Sequence, residues 1–527
     1  MLSVHQRFAV VGATTATLTL LAAALPATAS AGDGPDLSRF YRQKVTWTAC
    51  EGDEVPKDLQ CGKITVPLDY TRPGGATLDL ALARYKATGH SRGSVLLNFG
   101  GPGGAGIPGL AASGNDFMGL TNGYDVVTFD PRGVGRSSPV SCGDGADEIF
   151  GATATGTDVQ AALKAVKKAA DTCAAHSGAV LPHIGTVNAA RDLDVMRQAL
   201  GDKKLNYLGF SYGTRLGAVY AARFPKKTGR MVLDGVDTLT EPLTEQGLTG
   251  ARGQQTALDD FITWCAKNLA CPFGQDARSA GEQVVQLVKS LDAEPVPSDY
   301  GREFTGQDLV GAMGQALYSK AMWPVLEQAL ALLVQDGDPH GLDQLYGGAS
   351  LPSTSTPVRH GPRHSGLVDA EDVPLDNLPA ALMAINCADD PDRPAAGEVA
   401  RQIAGLRAAY EEASPVFGRY RLAQVLMCYG RPKGTSYIRD KVRHVPASKM
   451  LLVGTRGDPA TPYRWTEETA RRLGSAAVVL DNRGEGHTGY ASSKCVHRKV
   501  DDFLLYGSLP ADGSSCGPEN TDGTDGW

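Results

Sequence analysis

The strongest constraint on this chain is an alternation of short apolar runs with helix-like segments between residues 94 and 236. "GSVLLNF" and "YDVVTF" are continuous apolar stretches of strand length, of the kind that become strands buried on both faces of a parallel sheet. "TVNAARDLDVMRQALG" follows, with Leu193, Met196 and Leu200 at helical spacing. Thr186 is placed to cap its start and Gly201 to stop it. Next come "KLNYLGF", a helix-like "TRLGAVYAARF", and "RMVLDGV". Strand, helix, strand in series predicts an α/β fold with right-handed crossovers. Upstream, "KITVPLDY" and "LDLALARYKA" read as two further strands separated by a Pro-Gly-Gly turn.

The alternation stops near Asp237, and residues 238–440 read as mainly helical, with an exposed Ser/Thr/Pro/His-rich loop from Ser350 to Gly366. It resumes with "SKMLLVGTRGDP", the helix "YRWTEETARRLG", the strand "AAVVLDN" and a last helix near "KCVHRKVDDFLLYG". The expected organisation is therefore a first core segment at 32–237, a helical cap at 238–440 and a second core segment at 441–527. An insertion of roughly 200 residues is far longer than a loop. It is expected to roof the sheet edge where open α/β sheets bind ligands.

Residues 1–31 read as a signal peptide. His5 and Arg7 precede an apolar stretch from Phe8 to Leu25, and "ATASA" offers cleavage after Ala29 or Ala31. No later segment is apolar enough to span a bilayer, so no membrane partner is expected after cleavage. Ten cysteines in an exported chain read as disulfides. Nearest-neighbour pairing is the simplest arrangement: Cys50–Cys61, Cys142–Cys173, Cys265–Cys271, Cys387–Cys428 and Cys495–Cys516. The formal net charge of −7 leaves no basic excess, so nucleic acid is not an expected partner. No CxxC or HExxH spacing offers a zinc site. "FDPRGVGRSS" lacks the Lys-Ser/Thr of a phosphate loop and reads as a turn with an Asp130–Arg132 or Asp130–Arg136 pair. The reading calls for neither metal nor cofactor.

Gly209-Phe210-Ser211-Tyr212-Gly213 fits G-x-S-x-G between a strand and a helix. Such a turn needs glycines on both sides so that backbones can approach, and it projects a strained serine from the sheet edge. A serine hydroxyl is a weak nucleophile and needs a base oriented by a carboxylate, in the chain order serine, acid, histidine. His487 in "RGEGHTGY" follows the last long strand and is the candidate base. His340, His360, His364, His444 and His497 sit in the insertion, at the wrong sheet end or on the final helix. Asp458 follows the preceding strand in "MLLVGTRGDPATP" and is favoured as the acid over Asp481 and Glu485, which lie too close to the histidine in sequence. The oxyanion donors are then the amides of Tyr212 and of the loop "NFGGPGGAG", with Gly101 preferred over Gly100.

Together "ITVPLDYTRP", "NFGGPGGAG", "FDPRGVGRSS", "YLGFSYGTRLGAVYAARFP" and "GTRGDPATP…GEGHTGY" resemble the secreted tripeptidyl aminopeptidases of actinomycetes, α/β-hydrolase serine exopeptidases related to the proline iminopeptidases. The resemblance implies release of short peptides from free N termini of peptides or proteins, with Ser211, Asp458 and His487 as the triad. Relatives commonly carry His or Pro where this chain has Phe99. An aminopeptidase needs a carboxylate for the substrate ammonium, unpaired until substrate arrives. Asp237, Asp389 and Asp390 are candidates, with a solvated or capping role as the alternative. A carboxylesterase using the same triad is the competing reading. A non-catalytic binding protein would normally lack a triad member.

Overall fold

A computed structural model describes residues 35–52, 55–143, 159–298, 301–347 and 366–517. The signal segment 1–31, most of the 350–366 loop, and His360 and His364 lie outside them. The described strands are β1 (Thr48–Ala49), β2 (Gln60–Pro67), β3 (Thr77–Tyr85), β4 (Ser94–Asn98), β5 (Asp125–Phe129), β6 (Leu205–Phe210), β7 (Thr228–Asp234), β8 (Val296–Pro297), β9 (Glu303–Phe304), β10 (Met450–Gly457), β11 (Ala477–Glu485) and β12 (Ser514–Cys516). All but β8 and β9 form one sheet in the order β1-β2-β3-β5-β4-β6-β7-β10-β11-β12. The first three pairings are antiparallel, and every pairing from β5 to β12 is parallel.

The apolar runs behave as doubly buried strands should. All five residues of β4 are buried. Leu96 joins a core on one face with Tyr207, Leu233 and Leu452, while Val95 and Leu97 join Leu208, Val232 and Val453 on the other. Truncating one such side chain to alanine typically costs about 2–5 kcal/mol.

Between β7 and β10 the chain leaves the sheet and returns to the adjacent position, because β7 pairs with both β6 and β10. The excursion is largely helical, with Leu243–Cys265, Ala277–Ala293, Gly306–Ala316, Trp323–Asp336, Asn377–Asp389 and Ala396–Ala413 as its longer helices. It also contains the β8–β9 hairpin, too short to show as an alternating pattern. Part of it has its own core, around Phe261, Met313, Trp323, Leu326 and Phe417.

Two local expectations are corrected. Thr186 does not cap its helix: Gly185 takes that position, and Thr186 is the first helical residue. Its hydroxyl bonds Asp389 and Tyr212 instead. Asp130 pairs with the side chain of neither Arg132 nor Arg136; it accepts the backbone amides of Arg136 and Ile107. Arg132 turns to the buried Asp192 at 2.6 Å, because a buried guanidinium needs a carboxylate nearby. All five disulfides join neighbouring cysteines as expected. Among the described residues no helix is long and apolar enough to cross a membrane.

Candidate active site

Ser211 leaves β6 at φ 56° and ψ −126°, a left-handed conformation that a non-glycine residue holds only under constraint. The constraint is close packing. A Cβ on Gly209 would stand 2.6 Å from Gly213 O, and one on Gly213 would stand 2.7 Å from Asn98 Oδ1. The Ser211 amide donates to Asp234 O at 2.9 Å, tying the elbow to the end of β7. The helix Tyr212–Arg223 starts immediately after it.

The loop after β4 wraps the elbow. A Cβ on Gly100 would stand 2.6 Å from Phe210 O and 2.9 Å from Ser211 Cβ. The Gly100 amide is already bonded to Asn98 Oδ1 at 3.2 Å. The Gly101 and Tyr212 amides have no acceptor among the described residues. Tyr212, at the first helical position, can have none within its helix. Two uncommitted N–H groups thus flank the serine. Behind them Phe99 stacks on Phe210, with ring centroids 6.1 Å apart.

Asp458 follows β10 and His487 follows β11, both at the same sheet edge as Ser211. His487 Nδ1 lies 3.0 Å from each Asp458 oxygen. The carboxylate also accepts from the Ala460 and Thr461 amides at 2.8 and 2.7 Å, from Thr461 Oγ1 at 2.9 Å and from the Thr488 amide at 3.2 Å. Burial raises the Asp458 pKa, but the histidine and these donors outweigh it and hold the group below its ordinary value. For His487, burial favours the neutral ring, yet the Asp458 carboxylate and hydrogen bond, helped by Asp234 and Asp237, raise its pKa above the ordinary value.

His487 Cε1 lies 3.3 Å from where a Cβ on Gly235 would stand, one residue beyond the Asp234 carbonyl that holds Ser211. The Ser211 hydroxyl makes no hydrogen bond to His487 in this structure. Such bonds are often long before substrate binds. The rival acids are committed elsewhere, Glu485 to Lys320 at 3.1 Å and Asp481 to Arg456 at 2.8 Å. His497 stacks on Tyr490 with centroids 4.2 Å apart.

The candidate amine-binding carboxylates are not left unpaired, which corrects that expectation. Arg215, one turn past Ser211, lies 2.8 Å from Asp237 and 3.7 Å from Asp389. Asp389 also accepts Thr186 Oγ1, whose other partner is the Tyr212 hydroxyl at 2.6 Å. Asp390 accepts the Asp392 amide at 2.6 Å, with Arg393 3.9 Å away. All three carboxylates are buried, so the fold supplies partners in advance.

Three contributors escaped the sequence reading. Asp234, wholly buried, accepts the Gly489 and Tyr490 amides of the histidine turn at 2.9 and 2.8 Å. Thr461 sits in the quoted "DPATP" but carries no signal beyond its proximity to the acid. Tyr318, from the helical insertion, accepts the His487 amide through its carbonyl at 2.8 Å and packs edge-on against the imidazole, centroids 5.0 Å apart. No local pattern marks such a long-range partner.

A family model described as "alpha/beta hydrolase fold" matches residues 102–337, and one described as "TAP-like protein" matches residues 414–516. The chain is 34% identical over 505 residues to serine protease Hip1 of Mycobacterium tuberculosis, covering 90% of this chain and 91% of that protein. It is 31% identical over 513 residues to the tripeptidyl aminopeptidase of Streptomyces lividans, covering 92% of this chain and 88% of that one. The chain belongs to the tripeptidyl aminopeptidase family. Carboxylesterase B of M. tuberculosis is also similar, 31% identical over 497 residues and 90% of each chain. As a member of the tripeptidyl aminopeptidase family, the protein is an α/β-hydrolase-fold enzyme of the serine peptidase class.

Proposed function

We propose that this enzyme is a secreted exopeptidase that releases tripeptides from free N termini through an acyl-enzyme on Ser211. The observation that carries the reading is the His487–Asp458 pair, buried at 3.0 Å beside the strained serine elbow. Ser211 Oγ attacks the scissile carbonyl carbon and its proton passes to His487 Nε2. Asp458 keeps the Nδ1–H tautomer and balances the imidazolium. The carbonyl oxygen, now an anion, is met by the Gly101 and Tyr212 amides. The carbon–nitrogen bond breaks as His487 protonates the departing amine. Water then repeats the sequence on the ester and frees the peptide acid.

For the substrate ammonium, the cluster of Asp237, Asp389 and Arg215 supplies two carboxylates to one guanidinium, a net negative charge one turn from the nucleophile. Asp390 borders the same small recess. Ten paired cysteines and the leader at 1–31 support export.

Ser211→Ala is expected to abolish cleavage of peptides with a free amino terminus while leaving the thermal unfolding profile in place. Retained cleavage would refute the mechanism. Mass spectrometry of the products from one long peptide should show successive losses of three residues, and N-acetylation should suppress them. The similarity to a carboxylesterase favours one second reading, hydrolysis of esters by the same residues. Faster turnover of short acyl esters than of unblocked peptide amides would establish it.

A further inference from the structure

Arg421 lies in the helical insertion and is half-buried. Its Nε donates to Gln254 Oε1 at 2.8 Å, and Gln254 is neutral. Neither Nη makes a hydrogen bond, and no carboxylate lies within 4.0 Å, among the described residues. The Nη atoms are nevertheless not sealed in the protein, since they are absent from its buried unpartnered polar atoms. Several buried or half-buried arginines are matched, Arg132 with Asp192, Arg197 with Asp194, Arg215 with Asp237 and Arg419 with Asp292, whereas Arg191 and Arg431 share with Arg421 the lack of a carboxylate partner among the described residues. Withdrawing a guanidinium from water without a counter-charge is costly. Arg421 is thus one of three such arginines that no carboxylate among the described residues compensates.

Among these, Arg421 stands out by its location. The helix Leu243–Cys265 carries Gly250 and Gly253 on one face. A Cβ on Gly250 would stand 3.5 Å from Arg421 Cζ, and one on Gly253 would stand 3.3 Å from Asp458 O. The helix face that meets the guanidinium at Gly250 thus meets the acid loop of the triad three residues on, ~4.5 Å further along its axis. The Tyr318 phenol lies within electrostatic reach of both Arg421 and Asp458, and the Tyr318 ring packs on His487. His487 is the group that protonates the leaving amine. The leaving amine must come within reach of that imidazole, and Tyr318 is the residue of the insertion that packs on it.

We infer that Arg421 forms an anion-binding subsite on the leaving-group side of the cleft, taking a carboxylate carried by the peptide that departs. This rests on the peptidase reading above. A planar fork with free Nη atoms suits a carboxylate in two-point contact. The carboxylate can be an acidic side chain just after the scissile bond, or the C terminus of a leaving residue that ends the substrate.

The test measures kcat/KM for peptides with a free amino terminus that differ only in the residue after the scissile bond. The wild type is expected to prefer Glu to Gln by roughly tenfold, and Gln to Lys. A second pair, with a single leaving residue as free acid or as amide, separates the sources: a free-acid preference assigns the terminal carboxylate, a Glu preference the side chain. Arg421→Gln should bring the Glu/Gln and acid/amide ratios close to one, mainly through KM. Arg421→Lys, which keeps the charge without the fork, should give intermediate ratios. Wild-type ratios near one, a wild-type preference for Lys, or ratios unchanged in a folded Arg421→Gln protein each overturn the subsite while leaving the peptidase intact. Failure of the wild type to cleave any of these peptides, with ester turnover retained, overturns the peptidase reading and the subsite with it.

Discussion

At Ser211 the backbone is strained so that the side chain can stand free, and the neighbouring glycines bear the geometric cost. Gly100→Ala is expected to lower kcat by ~10² or more, because the new methyl group would press on Phe210 O and Ser211 Cβ from a residue at φ 89°. Steady-state kinetics beside a thermal melt checks this. Asp458→Asn should cost ~10⁴ in kcat, since an amide no longer holds the Nδ1–H tautomer. The raised His487 pKa makes a further statement. The base must be neutral, so kcat/KM should fall with acid through a pKa above the ~6.5 of free imidazole; a limb below that value would contradict the electrostatics. Ser211, Asp458 and His487 were legible because each sits in a short motif at a strand end. The pairing of Asp237 and Asp389 was not, since Arg215 is 22 residues from one and 174 from the other.

Among the elements, β7 has a double role. Its last residue, Asp234, holds the nucleophile through its carbonyl and the histidine turn through its carboxylate. Burial pushes the Asp234 pKa up to about 6, against the amide donors and His487 that lower it. A raised carboxyl pKa means that the folded protein holds this proton more tightly than the unfolded chain. That contribution favours folding fully below ~4 and is lost as pH rises through about 6. Asp234→Asn should flatten stability between those values in denaturant titrations. It should also reduce kcat, because one amide oxygen must replace two carboxylate oxygens. The parallel strands were readable as apolar runs, since burial on both faces removes any alternation. The β8–β9 hairpin was not, having two residues a side.

For the whole molecule, the decisive feature is that one sheet is completed only after the long excursion between β7 and β10. The Cys387–Cys428 bond links two parts of that excursion 41 residues apart. Removing it with paired serines should cost on the order of 3–4 kcal/mol by chain entropy, seen as a lower Tm. The reach of the excursion over the catalytic edge could be anticipated from its length and position. Which of its atoms would touch the histidine could not, because that depends on tertiary packing. The Tyr318 carbonyl grips the His487 amide, so the roof cannot lift at that point without letting go of the base. Moving Tyr318 away would remove both that bond and the ring packed on the imidazole. The position of the insertion at Tyr318 and the position of the histidine turn are thereby coupled, so that neither can be altered without the other.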